Sequence, residues 1–345
     1  MSEPTVAVSS VEELEALLAT PSAALVDDLS RLDGDLMLLG AGGKMGPSMA
    51  MLARNALDAA GRGTAVIAVS RFSDQAVEQR LNDAGVKTLR ADLLDEAQLS
   101  ALPYAENVVY MAAMKFGATG QEARTWAMNT YLPGRVAERF KDSRIAAFST
   151  GNVYPLSPLA TGAPTEDDPT GPIGEYAQSC LGRERMFEYF SEKYGTKVSL
   201  LRLNYAIELR YGVLVDIALA VSEERPVDLA MGHVNVIWQG DANEIALRSL
   251  LHASAPPKVL NITGPETISV RKVAARLGER LGKQPIFEGV EADSALLNDA
   301  SRSHALFGYP SVALNTMIDM VADWIAKGGE TSGKPTKFQL RTGAF

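Results

Sequence analysis

The feature that most constrains this chain is a short apolar run, Leu36–Leu39, that feeds directly into Gly40-Ala41-Gly42-Gly43-Lys44-Met45-Gly46 and then into an apolar helical stretch, Pro47 to Leu57. Glycines at this spacing let a chain leaving a buried strand turn tightly, and they bring a negatively charged group close to the free N–H groups of a helix start. A glycine motif alone is weak. Between a strand and a helix it marks the first βα turn of a dinucleotide-binding unit, with an ordinary strand-to-helix turn as the alternative.

The residues that follow keep the same rhythm. Apolar runs at Ala65–Val69, Val86–Leu89, Val108–Met111, Ile145–Phe148 and Val198–Leu203 alternate with helical stretches near 44–60, 74–84, 121–140 and 175–194. This alternation predicts an α/β chain built on a Rossmann-type, doubly wound parallel sheet. Helical spacing over 11–31, broken at Pro21-Ser22, predicts an N-terminal helical extension (1–33) ahead of the sheet domain (34–204). Beyond Asn204 the alternation loosens. Helices are expected near 211–224, 241–253, 268–281 and 313–326, with apolar runs at Val234–Trp238, Val259–Ile262 and Pro285–Phe287. Residues 205–327 therefore read mainly as a small C-terminal α/β substrate lobe, some segments of which can return to the sheet. Residues 328–345 read as an extended tail reaching toward a neighbouring subunit.

Composition narrows the function. A length of 345 residues suits one large domain with an appendage, and 46% hydrophobic residues suffice for a buried core. No apolar run approaches the roughly 20 residues of a membrane helix. The single cysteine, Cys180, excludes an internal disulfide, and His233, His252 and His304 lack metal-ligand spacing, so no metal is expected. A net charge of -9 argues against nucleic acid or a membrane surface and for a small-molecule partner. The start, Met1-Ser2-Glu3-Pro4, lacks the basic and apolar parts of a secretory signal, and a cytoplasmic location is the expectation.

Cofactor choice is usually decided where the second strand ends. Here that strand ends in Ser70-Arg71, with no acid before Asp74, which leans toward an NADP 2′-phosphate held by Arg71; a solvated Arg71 and NAD remain the alternative. After the third strand, Asp92-Leu93 can present a carboxylate to an adenine amino group or simply cap the next helix.

With these residues in place, the chain from about Asp35 to Ile325 resembles the extended short-chain dehydrogenase/reductases of the NAD-dependent epimerase/dehydratase type. The marks are the Gly40/Gly43/Gly46 loop, Asp92-Leu93, Met111-Ala112-Ala113, Asn129, Ser149-Thr150-Gly151-Asn152-Val153-Tyr154, Tyr176 opening a helix, Arg202-Leu203-Asn204 and the Gly240-Asp241 helix start. The resemblance implies NAD(P) bound by the loop together with Asp92, Met111 to Ala113, Asn129, Tyr176 and the residue at 180. It also implies a catalytic set of a hydroxyl residue (Thr150), a tyrosine (Tyr176) and a lysine four residues later.

The lysine position holds Cys180. A phenol titrates near pH 10, so only about one in a thousand is ionised at pH 7, a deficit of roughly 4 kcal/mol that a neighbouring cation normally reduces. A thiol supplies no such charge. Lys115, just beyond the fourth strand in Met111-Ala112-Ala113-Met114-Lys115-Phe116, is the first candidate to replace it; Arg183, two helical turns past Tyr176, is the second, and Arg185 the third. Each also reads as a surface charge or as a cation for a substrate carboxylate or phosphate.

Gly151-Asn152 replaces the acidic pair that family dehydratases carry after the hydroxyl residue, which favours hydride transfer or epimerisation over loss of water. Asn152, Asn204, Arg210 and His233, with Tyr205, Tyr211, Asn235, Trp238 and Gln239, form a polar and aromatic set suited to a sugar, sugar acid or similar polyol, although Trp238 also reads as core and His233 as a turn residue. Trp126, Met128, Tyr131, Met186, Phe187 and Phe190 suit a homodimer of paired helices or an internal packing. Two functions stand: an NAD(P)-dependent oxidoreductase or epimerase, and a noncatalytic NAD(P)-binding sensor or regulator that has lost the lysine.

Overall fold

Seven strands form one sheet: β1 (Leu36–Leu39), β2 (Val66–Ser70), β3 (Lys87–Arg90), β4 (Asn107–Tyr110), β5 (Arg144–Thr150), β6 (Val198–Leu203) and β7 (Lys258–Ile262). In the computed structural model, which describes residues 8–115 and 120–343, they run in the order β7-β6-β5-β4-β1-β2-β3, every pair parallel. The start Met1–Pro4 and the residue Phe116 lie outside the described residues. All four residues of β1 and of β4 are buried, as a parallel sheet covered on both faces requires. Chain order reverses between β1 and β4, and the crevice at their carboxyl ends is where such a sheet accepts a ligand.

Helices occupy the crossovers: the expected α3 (Gly46–Ala59) and α4 (Gln75–Asp83), a short α5 (Glu96–Ala101) not expected from the sequence, and the expected continuous helix over 122–139 and α7 (Gly174–Tyr194), which ends on the left-handed Gly195. The helix over 122–139, α6, contains a π turn, Ala127–Tyr131. A wider turn of this kind shifts the face that a residue presents; Asn129 sits in it.

The extension forms the two helices read from the sequence, α1 (Val11–Leu18) and α2 (Ala23–Ser30), whose first turns are capped by the hydroxyls of Ser10 and Ser22. It joins the two halves of the molecule. Leu14 and Leu18 are buried in the apolar cluster of the C-terminal lobe, whereas Leu25 and Leu29 are buried against α3 in the sheet domain.

The lobe is built on helices Val213–Ser222, Val270–Leu281 and Leu314–Ala326, which pack together around a single apolar cluster. Its boundary is not a single cut at residue 205. The run at Val259–Ile262 becomes β7 beside β6, and helix Gln239–Arg248 packs on α2 and α3. The tail carries no helix or strand over its described residues and lies along its own chain. Ser332 donates its N–H to the Arg210 carbonyl (2.9 Å), Phe338 is buried in the lobe cluster, and Arg341 donates to the Ser294 carbonyl (2.6 Å).

Candidate active site

Three of the four glycines in the first βα turn, Gly40, Gly42 and Gly46, have their own steric reason. Gly40 adopts φ +95°, and a Cβ there would lie 2.6 Å from the Ala112 nitrogen, because the chain leaving β4 crosses directly over it. At Gly42 a Cβ would meet the Ser70 hydroxyl at 2.4 Å, and at Gly46 the Ala41 carbonyl oxygen at 2.2 Å, so α3 can pack on β1 only without a side chain. Gly43 is different. The nearest atom to its Cβ would be the Gly40 carbonyl oxygen at 3.5 Å, so nothing in the protein requires glycine, and the space beside it belongs to two cavities. The loop thus fits a pyrophosphate, with the backbone of Lys44 and Met45 leading into the start of α3.

One cavity is a groove of about 330 Å³ between the ends of β1–β4, lined by Gly40, Gly42, Gly43, Ser70, Arg71, Asp92, Leu93, Met111, Ala112 and Ala113. Arg71 is exposed at its rim. Asp74 is taken up as the cap of α4, accepting the Ala76 N–H at 2.9 Å. Asp92 is not a helix cap: Asp95 caps α5, whereas Asp92 accepts the Leu94 N–H at 3.0 Å and lines the groove.

The second cavity, about 660 Å³, runs from the same loop across Thr150 and Tyr176 to the lobe. Thr150 ends β5, and Tyr176 lies in the first turn of α7, with hydrogen bonds to Thr150 and to Cys180. Burial, then the proximity of Cys180, raises the Tyr176 phenol well above its ordinary value, while the charge of Arg183 opposes the rise. A buried ion pair fixes α7 on the sheet: Arg202 of β6 donates to Glu184 at 2.8 Å, and Glu184 accepts from the Ser149 hydroxyl at 2.5 Å.

Behind Tyr176, Cys180 is fully buried and lines neither cavity, which corrects its reading as a cofactor contact. Asn129 lines neither as well. Its amide instead pins the segment after β4, accepting the Met114 N–H and donating to the Met114 carbonyl, both at 2.9 Å, and donating to Ser179 at 3.0 Å. Arg183 shares that network, donating to Asn129 Oδ1 at 3.1 Å and to the Phe148 carbonyl at 2.7 Å. Its guanidinium is therefore a permanent charge held within one layer of Tyr176. Arg185, the third candidate, is exposed and paired with Glu188.

Lys115 enters from the opposite side. Its Nζ lies 5.8 Å from the Tyr176 ring centroid and 6.0 Å from that of Tyr205, and burial pulls its ammonium down to about 8. Asn152 and Asn204 also line the cavity, Asn204 being oriented by a hydrogen bond to Asn235 at 3.1 Å. Two expectations need correction. Arg210 lines the cavity, but its guanidinium is engaged by Glu208 (3.2 Å) and Glu15 (3.1 Å), so it is a structural cation rather than an open clamp for a substrate acid. His233 pairs with Ser269 in a two-stranded ribbon and does not line the cavity. Trp238 is buried core.

Sequence reasoning missed Glu15, Arg80, Ser332, Lys334 and Thr336, all of which line the cavity. Arg80 and Arg210 both reach Glu15, a bridge among α4, the lobe and the extension that no local pattern announces. Among the described residues no helix is long and apolar enough to cross a membrane, and no three His, Cys, Asp or Glu side chains are placed to hold a metal ion.

The fold and this arrangement define a short-chain dehydrogenase/reductase of the extended type. Residues 37–207, which carry the glycine loop, Thr150 and Tyr176, match the model of the NAD dependent epimerase/dehydratase family, and through this segment the chain belongs to that family. No curated protein matches it by sequence. Among solved structures it is similar to the UDP-glucose 4-epimerase of Thermotoga maritima with UDP-glucose (19% identity, TM-score 0.69, covering 85% of this chain and 99% of that one). It is also similar to the UDP-glucuronic acid 4-epimerase of Bacillus cereus in complex with NAD (18% identity, TM-score 0.70, 84% and 98%). A third is the UDP-glucose 4-epimerase of Thermus thermophilus in complex with NAD (18% identity, TM-score 0.66, 84% and 98%). Identities this low show a shared fold.

Proposed function

We propose that this protein is an NAD(P)-dependent oxidoreductase or epimerase that acts by hydride transfer at a hydroxyl-bearing carbon of a sugar, sugar acid or related polyol. One observation carries the reading: a single cavity brings together the glycine loop, the Thr150–Tyr176 pair and the Lys115 ammonium. A nicotinamide held there by the glycine loop would supply the hydride acceptor and donor. Tyr176 Oη takes the hydroxyl proton on oxidation and returns it on reduction, and Thr150 Oγ hydrogen-bonds the reacting oxygen. Lys115, and behind it Arg183, supply the positive charge that Cys180 does not. Both favour the phenolate over the neutral phenol and so lower the cost of proton removal.

Arg71 at the groove rim favours NADP, whereas the solved relatives from Bacillus cereus and Thermus thermophilus contain NAD. Exposed Trp126, Tyr131, Tyr189 and Tyr194 on α6 and α7 support a homodimer through that face, while Phe187 is internal. The test begins with bound cofactor, by absorbance and mass, followed by titration of NADH and NADPH and by hydride exchange against a panel of sugars and sugar acids. Tight binding with exchange is the expected result. Tight binding without exchange points to the sensor or to a reaction that recycles its cofactor unseen, and no binding refutes the reading of the Gly40–Gly46 loop.

A further inference from the structure

The N-terminal extension reaches the cleft. It is fastened along its length: Leu14 and Leu18 are buried in the lobe cluster, the Ala19 carbonyl accepts from the Asn55 amide of α3 at 2.8 Å, and Ser22 donates its hydroxyl to Glu244 at 2.6 Å. Next to the buried Leu14, Glu15 lines the larger cavity. A single carboxylate oxygen of Glu15 pairs with Arg80 of α4 at 2.9 Å and with Arg210 of the lobe at 3.1 Å. Arg210 is held further by Glu208 at 3.2 Å, and its carbonyl accepts the Ser332 N–H of the tail at 2.9 Å.

The position of this bridge relative to the cofactor path follows from the two cavities. They share Gly40, Gly42, Gly43, Val77, Met111 and Ala113. A dinucleotide with its adenosine in the groove and its nicotinamide beside Tyr176 therefore crosses from one cavity to the other at the glycine loop, past Val77 of α4. Arg80 lies one helical turn beyond Val77 on the same face. The chain Arg80–Glu15–Arg210 thus runs from the sheet domain to the lobe beside that crossing. An isolated exposed ion pair contributes little, but the Glu15 side chain is only 15% exposed and serves two guanidinium groups at once. Moving the sheet domain away from the lobe here breaks both contacts together. Glu15 also precedes the segment matched by the family model, which begins at residue 37.

We infer that Glu15 is a positioning residue that clasps the cleft over the bound dinucleotide, so that the cofactor stays in place from one turnover to the next. The inference deepens the proposed function and rests on its placement of the cofactor. A retained cofactor has to regain its starting redox state from the substrate it has acted on. The balance is then that of an epimerisation: the hydride taken from a carbon returns to that carbon, the hydroxyl proton returns with it, and nothing is oxidised overall. The clasp favours this chemistry over a dehydrogenase that exchanges its cofactor at every turnover.

Release of NADH and NADPH from the full-length protein, followed by stopped-flow fluorescence during a chase with excess oxidised cofactor, tests the clasp. Glu15→Gln should release the reduced cofactor about fivefold faster than wild type and Arg80→Met about threefold faster, both with melting temperatures close to that of wild type. Ion pairs are screened at about 1 M salt, where the difference between wild type and Glu15→Gln should close. Release from Glu15→Gln at the wild-type rate overturns the clasp. So does faster release from Glu15→Gln accompanied by a marked loss of melting temperature while Arg80→Met releases at the wild-type rate, because the extension then only holds the fold together. A wild-type protein that takes up neither reduced cofactor refutes the dinucleotide reading itself, and the clasp with it.

Discussion

Replacing Lys115 by methionine removes a charge and keeps most of the side-chain volume. With the Nζ 5.8 Å from the Tyr176 ring centroid, a unit charge at an effective dielectric of about 20 contributes about 3 kcal/mol to the phenolate, or about two pKa units. Water in the cavity and the charge of Arg183 reduce the loss, so kcat/KM at neutral pH should fall about 10- to 100-fold, with cofactor affinity little changed. The wild-type pH profile carries a second signature. The Lys115 ammonium titrates at about 8 and is charged below that pH, so its help is present at pH 7 and is lost as pH rises through 8. Because kcat/KM reports groups of the free enzyme, its decline above about pH 8 should be absent in Lys115→Arg, whose charge persists. The assay is steady-state hydride transfer from pH 6 to 10 for the three proteins, with cofactor binding measured separately. A Lys115→Met enzyme within twofold of wild type, or a Lys115→Arg enzyme that keeps the decline, would refute the role given to Lys115.

Three further outcomes follow from the same geometry. Gly43→Ala should fold normally and bind the dinucleotide about tenfold more weakly, whereas Gly46→Ala, with its Cβ 2.2 Å from the Ala41 oxygen, should lower the melting temperature; equal melting temperatures for the two would contradict the division of labour in the loop. Cys180→Lys restores the family residue but places an ammonium in a fully buried position beside Arg183, so thermal denaturation should show a loss of several degrees with no large gain in turnover, and a large gain would mean that no other cation fills the role. Arg71→Glu should shift the ratio of NADPH to NADH affinity about tenfold toward NADH, read by fluorescence titration; an unchanged ratio would remove Arg71 from the cofactor site.

Much of the fold was legible because its signals are local. A buried parallel strand needs an apolar run, a crossover helix needs its own periodicity, and the glycine loop must stand between the first of each; Leu36–Leu39, Gly40–Gly46 and α3 satisfy all three conditions within about two dozen residues. Thr150 and Tyr176 entered through the family resemblance alone; the structure puts the first at the end of β5 and the second in the first turn of α7. Tertiary structure decided what depends on distant segments. It sent Val259–Ile262 back to the sheet as β7, closed Arg210 with Glu15 from the extension, buried Cys180 behind Tyr176, and folded the tail so that Lys334 reached the cavity. Periodicity reports which face of an element is apolar, but the partner of a charged side chain is set by loop paths and packing across long stretches of sequence, and no pattern in the sequence records those distances.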